Sequence, residues 1–452
     1  METIVLPVET KVREFDGKLW LGMNFVSRGK EVILGPSDEI RNTVDVTEPD
    51  VYITKDPGDS NIDFFKRLRS AGISVCGLDT EGGVFDSISN YSINKRKVLN
   101  YLDAFFAWGE RPAIEIRNQY ENMMNIHVTG NPRFDLLQPH LRFIYQNRAK
   151  PINERYGDYI LLNGNFSQAN PDNQGVITKI EEIYGSAPEE EHTYKNRIFN
   201  LFLDAIYHLQ AKFPETDIII RPHPSENNTT YEEAFQRCDH VHIEDTGDVR
   251  NWIAGASVTV HHDCTTGIES ALMGTPVVSY RPIQNKEYEA ELPQVVSKQA
   301  LTLENLTEYI SKSLNRDKYY EMTTDQTTHL KQYFHNIDES AAEKMCDVIS
   351  SLDTDNERNY AELKPDLKQD IERRVQTSVF SDEIITLYDK VHLLLGNESP
   401  QKQRQYRKQK FTSVEKEEIL QLIQQIEQVL DINPVSVEEV SMTNNTFYIR
   451  PE

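Results

Sequence analysis

The stretch "IIIRPHPSENN", residues 218–228, decides the fold. Three isoleucines make a short β-branched run, the composition of a buried strand. The chain then turns polar at once, at Arg221, Pro222, His223 and Pro224. Neither proline can donate to a sheet ladder, so the strand must end there. Such an ending is either a plain turn or a place where a cation and a proton donor are held still at the carboxyl edge of a sheet.

Working outward, the same alternation runs through most of the chain. "TIVLPV", with a strand over Ile4 to Pro7, precedes a helical stretch from Asp16 to Arg28, and "GKEVILG", "DVYITK", "GISVCGLD", "LDAFFAWG" and "NIHVTG" follow. The pattern pauses near residues 136–157 and restarts at "DYILLNGNFS". The helical "KNRIFNLFLDAIYHLQAKF", then "DIIIRPHP", "HVHIED", "ASVTVHHD" and "TPVVSY" complete a second run. Short apolar strands alternating with helices predict parallel α/β sheets. The expected domains are 1–145, 146–350 and a helical extension, 351–452. Within the extension, "SLDTDNERNYAELKPD" reads as a linker and "VEKEEILQLIQQIEQVL" as an amphipathic helix packed on the body.

Composition narrows the class. A chain of 452 residues is long for one domain. No run approaches the ~20 apolar residues that span a bilayer, and an acidic residue at position 2 with no apolar stretch behind it argues against a signal peptide. Cys76, Cys238, Cys264 and Cys346 lie far apart without paired spacing. That disfavours a disulfide framework or a zinc site and fits a reducing cytoplasm. A net charge of -24 disfavours nucleic acid as a partner. The basic island "QKQRQYRKQK", residues 401–410, is either a solvated helix face or a contact for anionic lipid, a peripheral membrane association.

The second α/β run carries the densest chemistry. Its strand "SVTVHHD" leads into His261, His262 and Asp263 and then opens a helix at Thr265, Thr266 and Gly267. Small and hydroxyl residues at a helix start expose N–H groups that bind phosphate. Glu269 follows inside the first turn, where a carboxylate can take ribose hydroxyls. Asn163, Gly164 and Asn165 follow the strand "YILL", at another loop that approaches phosphates. Each feature alone is equally a turn or a helix cap. Together, at the carboxyl ends of neighbouring strands, they point to a nucleotide mono- or diphosphate.

A strand ending in "RPHP" with "HHDCTTGIESALMGTPVV" beyond it resembles the donor half of GT-B glycosyltransferases that use CMP-activated acidic sugars. "LPVETKVREFDGKLWLG", "LDTEGG", "AFFAWG" and "VTGNPRFDLL" resemble the bacterial surface carbohydrate biosynthesis protein family, over residues 1 to 285. The resemblance implies two Rossmann-type domains facing a cleft. In GT-B sialyltransferases and Kdo transferases an acid-acid-Gly motif stands where this chain has "LDTEGG". Here Thr80 replaces the first acid, so Glu81 is the first choice for a catalytic carboxylate and Asp79 the second. By itself an acid-Gly pair is a turn. Glu9, Lys11 and Arg13, after the first strand, are candidates for touching acceptor or donor, or for a helix cap with paired charges.

The chemistry implied is transfer of a Kdo-like or nonulosonate sugar from its CMP form to a surface glycan, the acceptor being lipid-linked in one version. A carboxylate deprotonates the acceptor or attacks the anomeric carbon. His223, protonated, and helix-end N–H groups stabilise the departing phosphate, and Arg221 supports them or sits in a structural ion pair. No metal and no cofactor beyond the co-substrate are expected. "DTD", at 353–355, has the spacing of a metal pair but reads as solvated loop. Three alternatives stand beside this reading. They are a UDP-sugar 2-epimerase, a CDP-glycerol transferase and a non-catalytic sugar-nucleotide-binding scaffold in glycan assembly.

Overall fold

Runs such as Thr3–Val8 and Ile218 to Arg221 leave no polar face, and strands buried on both sides are the property of parallel sheets flanked by helices. The computed structural model describes residues 1–55, 58–79, 97–119, 125–173, 175, 177–178, 187–315, 320–337, 339–352, 358–364, 410–441, 443 and 445–452. They divide into two units. The first gathers Met1–Thr80, Ile93–Leu136 and His335–Glu452, and the second is built around Leu137–Phe334.

The first unit holds β1 (Thr3–Val8), β2 (Glu31–Pro36), β3 (Val51–Lys55), β4 (Ser74–Leu78), β5 (Ala104–Ala107) and β6 (Ile126–Val128). These run parallel in the order β2-β1-β3-β4-β5-β6. The chain leaves β1 in one direction to make β2 and in the other to make β3. The order therefore reverses between β1 and β3, the place where open α/β sheets hold ligands. The helix after β1 spans Lys11–Val26, a turn earlier than Asp16. Glu14 explains the early start: its carboxylate accepts from the Thr10 N–H at 3.1 Å and the Glu9 N–H at 3.4 Å. It thereby satisfies amides that a helix start leaves open.

The second unit holds β7 (Tyr159–Asn163), β8 (Asp217–Arg221), β9 (Val241–Ile243), β10 (Val258–His261), β11 (Val277–Tyr280) and β12 (Lys298–Ala300). They are parallel in the order β12-β11-β10-β7-β8-β9. The reversal here lies between β7 and β10, which pair with Asn163 opposite His261. The core sets Ile160, Leu162, Ile218, Ile220, Val258 and Val260 against Phe199, Phe202, Ile206 and Leu209 of the helix Glu189–Lys212.

Two expectations about the end of the chain are corrected. The extension is not a helical domain of its own, because its described part belongs to the first unit. It supplies the helix Lys416–Leu430 and two strands, β13 (Val435–Glu439) and β14 (Phe447–Pro451). β14 lies antiparallel to β2, with Phe447 opposite Leu34 and Ile449 opposite Val32, and both side chains are fully buried. The helix pattern "KEEILQLIQQIEQVL" was legible, whereas a short strand pairing with the far end of the chain leaves only a short alternation.

The first boundary moves too, from 145 to Leu136, and the chain re-enters the first unit at His335 rather than at 350. Asp135 accounts for this. Its buried carboxylate accepts from Trp20 Nε1 at 3.0 Å, from Ser340 Oγ at 3.0 Å and from the N–H groups of Ala341 and Ala342 at 2.9 Å each. One carboxylate thus caps the helix Ala341–Ser350 and ties the returning chain to its point of departure.

Candidate functional site

The carboxyl ends of β7, β8 and β10 place Asn163, Arg221 and His261 side by side, in register. Asn163 is 2% exposed, and neither its Oδ1 nor its Nδ2 has a hydrogen-bond partner. A buried amide left bare costs roughly 1–3 kcal/mol, so native proteins keep one only where something else completes it. Asn163 stands at the sheet's point of reversal, where open α/β sheets hold ligands.

The next loop is held by a residue that the sequence reading passed over. Glu226 is buried, and its Oε1 accepts from the Phe166 N–H at 2.8 Å and the His223 N–H at 3.1 Å. Its Oε2 accepts from Tyr231 Oη at 2.5 Å. Burial pushes this carboxyl up, while the donors pull it back. The carboxylate stitches the loop after β7 to the turn after β8. A Cβ on Gly164 would fall 2.7 Å from Glu226 Oε1, so only glycine allows the approach. The signal available was an acid three residues past His223, inside a turn otherwise built of Pro and Ser.

The prolines and Glu226 leave His223 exposed at the loop crest. The Ser225 N–H donates to its Nδ1 at 3.2 Å, and Ser167 Oγ lies 3.0 Å from the same nitrogen. An amide N–H can only donate, so Nδ1 is the bare nitrogen and the proton sits on Nε2. With Nδ1 accepting, the ring offers Nε2–H as its donor. Ser167 supplies the acceptor that Nδ1–H would use on protonation.

Arg221 makes its contacts with backbone carbonyls. Its Nη1 and Nη2 donate to the carbonyls of Thr246 and Gly247 at 2.8 and 2.9 Å, and its guanidinium lies 5.2 Å from the Trp252 ring centre. Burial lowers its pKa to about 10, the acids Asp248, Asp245 and Glu244 opposing the fall. It braces the loop after β9 through carbonyls, where the structural role expected of it was an ion pair.

His262 is a core residue. It is 1% exposed, its Nδ1–H donates to the Tyr280 carbonyl at 3.2 Å, and its ring stacks on Phe166 at 6.3 Å. Burial and then Lys195 drive it to about 3, and burial does the same to His261. Both rings are neutral, and His262 Nε2, like the Asn163 amide, is buried without a hydrogen-bond partner.

Asp263 follows with φ of 54°, a left-handed conformation uncommon for a residue with a side chain. It is tied down by Ala290 N–H to Oδ1 at 2.6 Å and by Asn165 Nδ2 to its carbonyl at 2.5 Å. The kink starts the helix Thr265–Met273, whose N-cap residue Cys264 offers no side-chain cap. A Cβ on Gly267 would lie 2.4 Å from His261 Nε2, so glycine sets how closely this helix approaches β10. Thr265 and Thr266 are half-buried in its first turn, and Glu269 is 7% exposed.

In the first unit, Asp79 follows β4. It is 2% exposed, and its carbonyl accepts from Trp108 Nε1 at 2.7 Å and Asn131 Nδ2 at 3.0 Å. Glu81, with the rest of "TEGG", lies outside the described residues, as do residues 353–355 and 401–409. Glu9, Lys11 and Arg13 do gather near the carboxyl end of β1. Glu9 is shared by Lys55 at 2.9 Å and Lys410, and lies at about 2. Burial raises its pKa, and the two lysines outweigh that. Lys11 donates to Glu418 Oε2 at 2.9 Å and to the Ser413 carbonyl at 3.0 Å. No described helix is long and apolar enough to cross a membrane.

No protein-family model matches the chain, and no curated protein does. Among solved structures, the UDP-GlcNAc 2-epimerase of Methanocaldococcus jannaschii is 12% identical, covers 77% of this chain and 99% of its own, and superposes with a TM-score of 0.51. The same enzyme in complex with UDP-GlcNAc and UDP gives 14% identity, 77% and 99% coverage and a TM-score of 0.47. A UDP-N-acetylglucosamine 2-epimerase described as putative, from Listeria monocytogenes, gives 12%, 79%, 97% and 0.49. The first superposition, with the two parallel sheets, establishes a GT-B-like fold of Rossmann-type units.

Proposed function

We propose that this chain is an enzyme of sugar-nucleotide metabolism that binds the nucleotide on its second unit, at the carboxyl ends of β7, β8 and β10. The observation that carries the reading is the buried, unpartnered amide of Asn163 at the sheet's point of reversal. Beside it in the same unit lie the His223 donor and an uncapped helix start. In this reading the Nε2–H of His223 and the first-turn N–H groups of Thr265–Met273 meet phosphate oxygens, and Glu269 takes ribose hydroxyls.

A UDP-sugar, processed as in a 2-epimerase, is the first substrate class to test, because the fold neighbours are described with UDP and UDP-GlcNAc. Transfer of an acidic sugar from CMP is the second reading, supported by the run from "RPHP" to "HHDCTTG" and by the carboxylates Asp79 and Glu81. Titration calorimetry with UDP, CMP and CDP separates the two, and a turnover assay on the sugar nucleotide of the tightest binder separates enzyme from scaffold. Asn163→Leu should abolish whichever binding is found. If the variant binds as wild type does, the nucleotide lies elsewhere.

A further inference from the structure

The carboxyl ends of four strands in the second unit form one row. Register sets Arg221, Asn163, His261 and Ser279 side by side across β8, β7, β10 and β11. Register partners in a parallel sheet project from the same face. The helix Thr265–Met273 covers that face, since a Cβ on its Gly267 would strike His261 Nε2. All four side chains are buried.

Protein groups meet three of them. Arg221 donates to the Thr246 and Gly247 carbonyls. The Cys264 N–H donates to His261 Nδ1 at 3.4 Å, so this neutral ring carries its proton on Nε2 and donates it to Ser297 Oγ at 2.8 Å. Ser297 donates onward to the Pro293 carbonyl at 2.7 Å. Ser279 Oγ donates to Gln294 Oε1. Asn163, between Arg221 and His261, has neither amide atom paired.

The chemistry of a bare amide limits what it can take. Nδ2 needs an acceptor and Oδ1 needs a donor. The ionised diphosphate of a sugar nucleotide offers acceptors alone, and would leave Oδ1 facing negative charge. A vicinal pair of hydroxyls offers both. Glu269, the carboxylate placed at ribose, stands on the covering helix two residues beyond Gly267. We infer, resting on the nucleotide site proposed above, that Asn163 takes the ribose hydroxyls together with Glu269 and makes the site selective for ribonucleotides over deoxyribonucleotides. One hydroxyl donates to Glu269 and accepts from Nδ2, and the other donates to Oδ1, so each hydroxyl hydrogen is used once. The phosphates are left to His223 and the helix start. Asn163 is thereby a specificity-determining residue.

The test is titration calorimetry of the full chain with UDP and CMP, each beside its 2′-deoxy and 3′-deoxy analogues, and with inorganic pyrophosphate. Wild type should bind the better nucleotide about tenfold more tightly than at least one of its deoxy analogues. Asn163→Leu should weaken that nucleotide by more than about tenfold and cut the ribo-to-deoxy ratio at least about threefold. Its pyrophosphate affinity should match wild type, because the amide does not meet phosphate. Asn163→Asp, whose oxygens accept from hydroxyls, should keep the ratio. A ratio unchanged in Asn163→Leu, or a pyrophosphate affinity that falls with the nucleotide's, overturns the ribose role and leaves the nucleotide site standing. Wild-type nucleotide binding by Asn163→Leu overturns both, as does a wild-type chain that binds neither UDP nor CMP. Should Asn163→Leu fail to fold, Asn163→Asp decides: a kept ratio supports the ribose role, and a lost one overturns it.

Discussion

Asn163 sets stability against function within one side chain. Its buried amide has no partner, so replacing it by leucine, of similar size and with nothing to satisfy, removes a cost from the ligand-free protein. Asn163→Leu should melt at the wild-type temperature or a few degrees above it and lose nucleotide affinity by more than about tenfold. Calorimetry in the presence and absence of nucleotide reads both. His223→Ala should leave folding intact and lower turnover about 10²-fold, the scale of a lost stabilising donor. A steady-state assay beside a circular dichroism melt checks it.

Much of this site was legible in the sequence, because prolines and glycines mark loops at strand ends regardless of distant context. What escaped was the division of labour. His262 reads like His223 but faces the core, and Arg221 reads like a ligand but braces carbonyls. Glu226 was invisible because its partners, Phe166 and Tyr231, come from separate segments that only folding brings together.

At the scale of elements, β10 ends in two imidazoles that burial holds near 3. Their folded pKa lies below the unfolded value, so unfolding takes up protons once the pH falls under about 6.5. The contribution is therefore complete above that pH and declines as the pH falls toward 3, by up to ~1.4 kcal/mol per pH unit for each histidine. Urea midpoints from pH 7 to pH 4 should fall, and His262→Gln should flatten the slope. A wild-type midpoint that is level over this range would contradict the buried, neutral state.

The last two strands make a second case. Deleting residues 434–452 strips β14 from β2 and bares Val32, Ile33 and Leu34 on an open edge. The truncated chain should aggregate at concentrations where the intact one is monodisperse by light scattering. The inner strands were legible because each is a continuous apolar run. "VSVEE" and "FYIRP" escaped because each is half-exposed, the first at the sheet edge, and the register of β14 on β2 is set by a partner remote in sequence.

At the scale of the whole molecule, the two units differ in how the chain builds them. The second is drawn mainly from one continuous stretch, Leu137–Phe334, and the first from three stretches. A fragment of Leu137–Phe334 should fold cooperatively and keep nucleotide binding, while Met1–Leu136 alone should not. Calorimetric melting of each fragment decides this. That asymmetry has a consequence for the order of birth. On a ribosome moving at ~5–20 residues per second, the second unit is complete while the first still waits for its last strands. For tens of seconds β2 stands as a raw edge on a nascent polypeptide, able to pair with any extended chain nearby. The first unit begun is the last finished, and a holdase chaperone would find its substrate at β2.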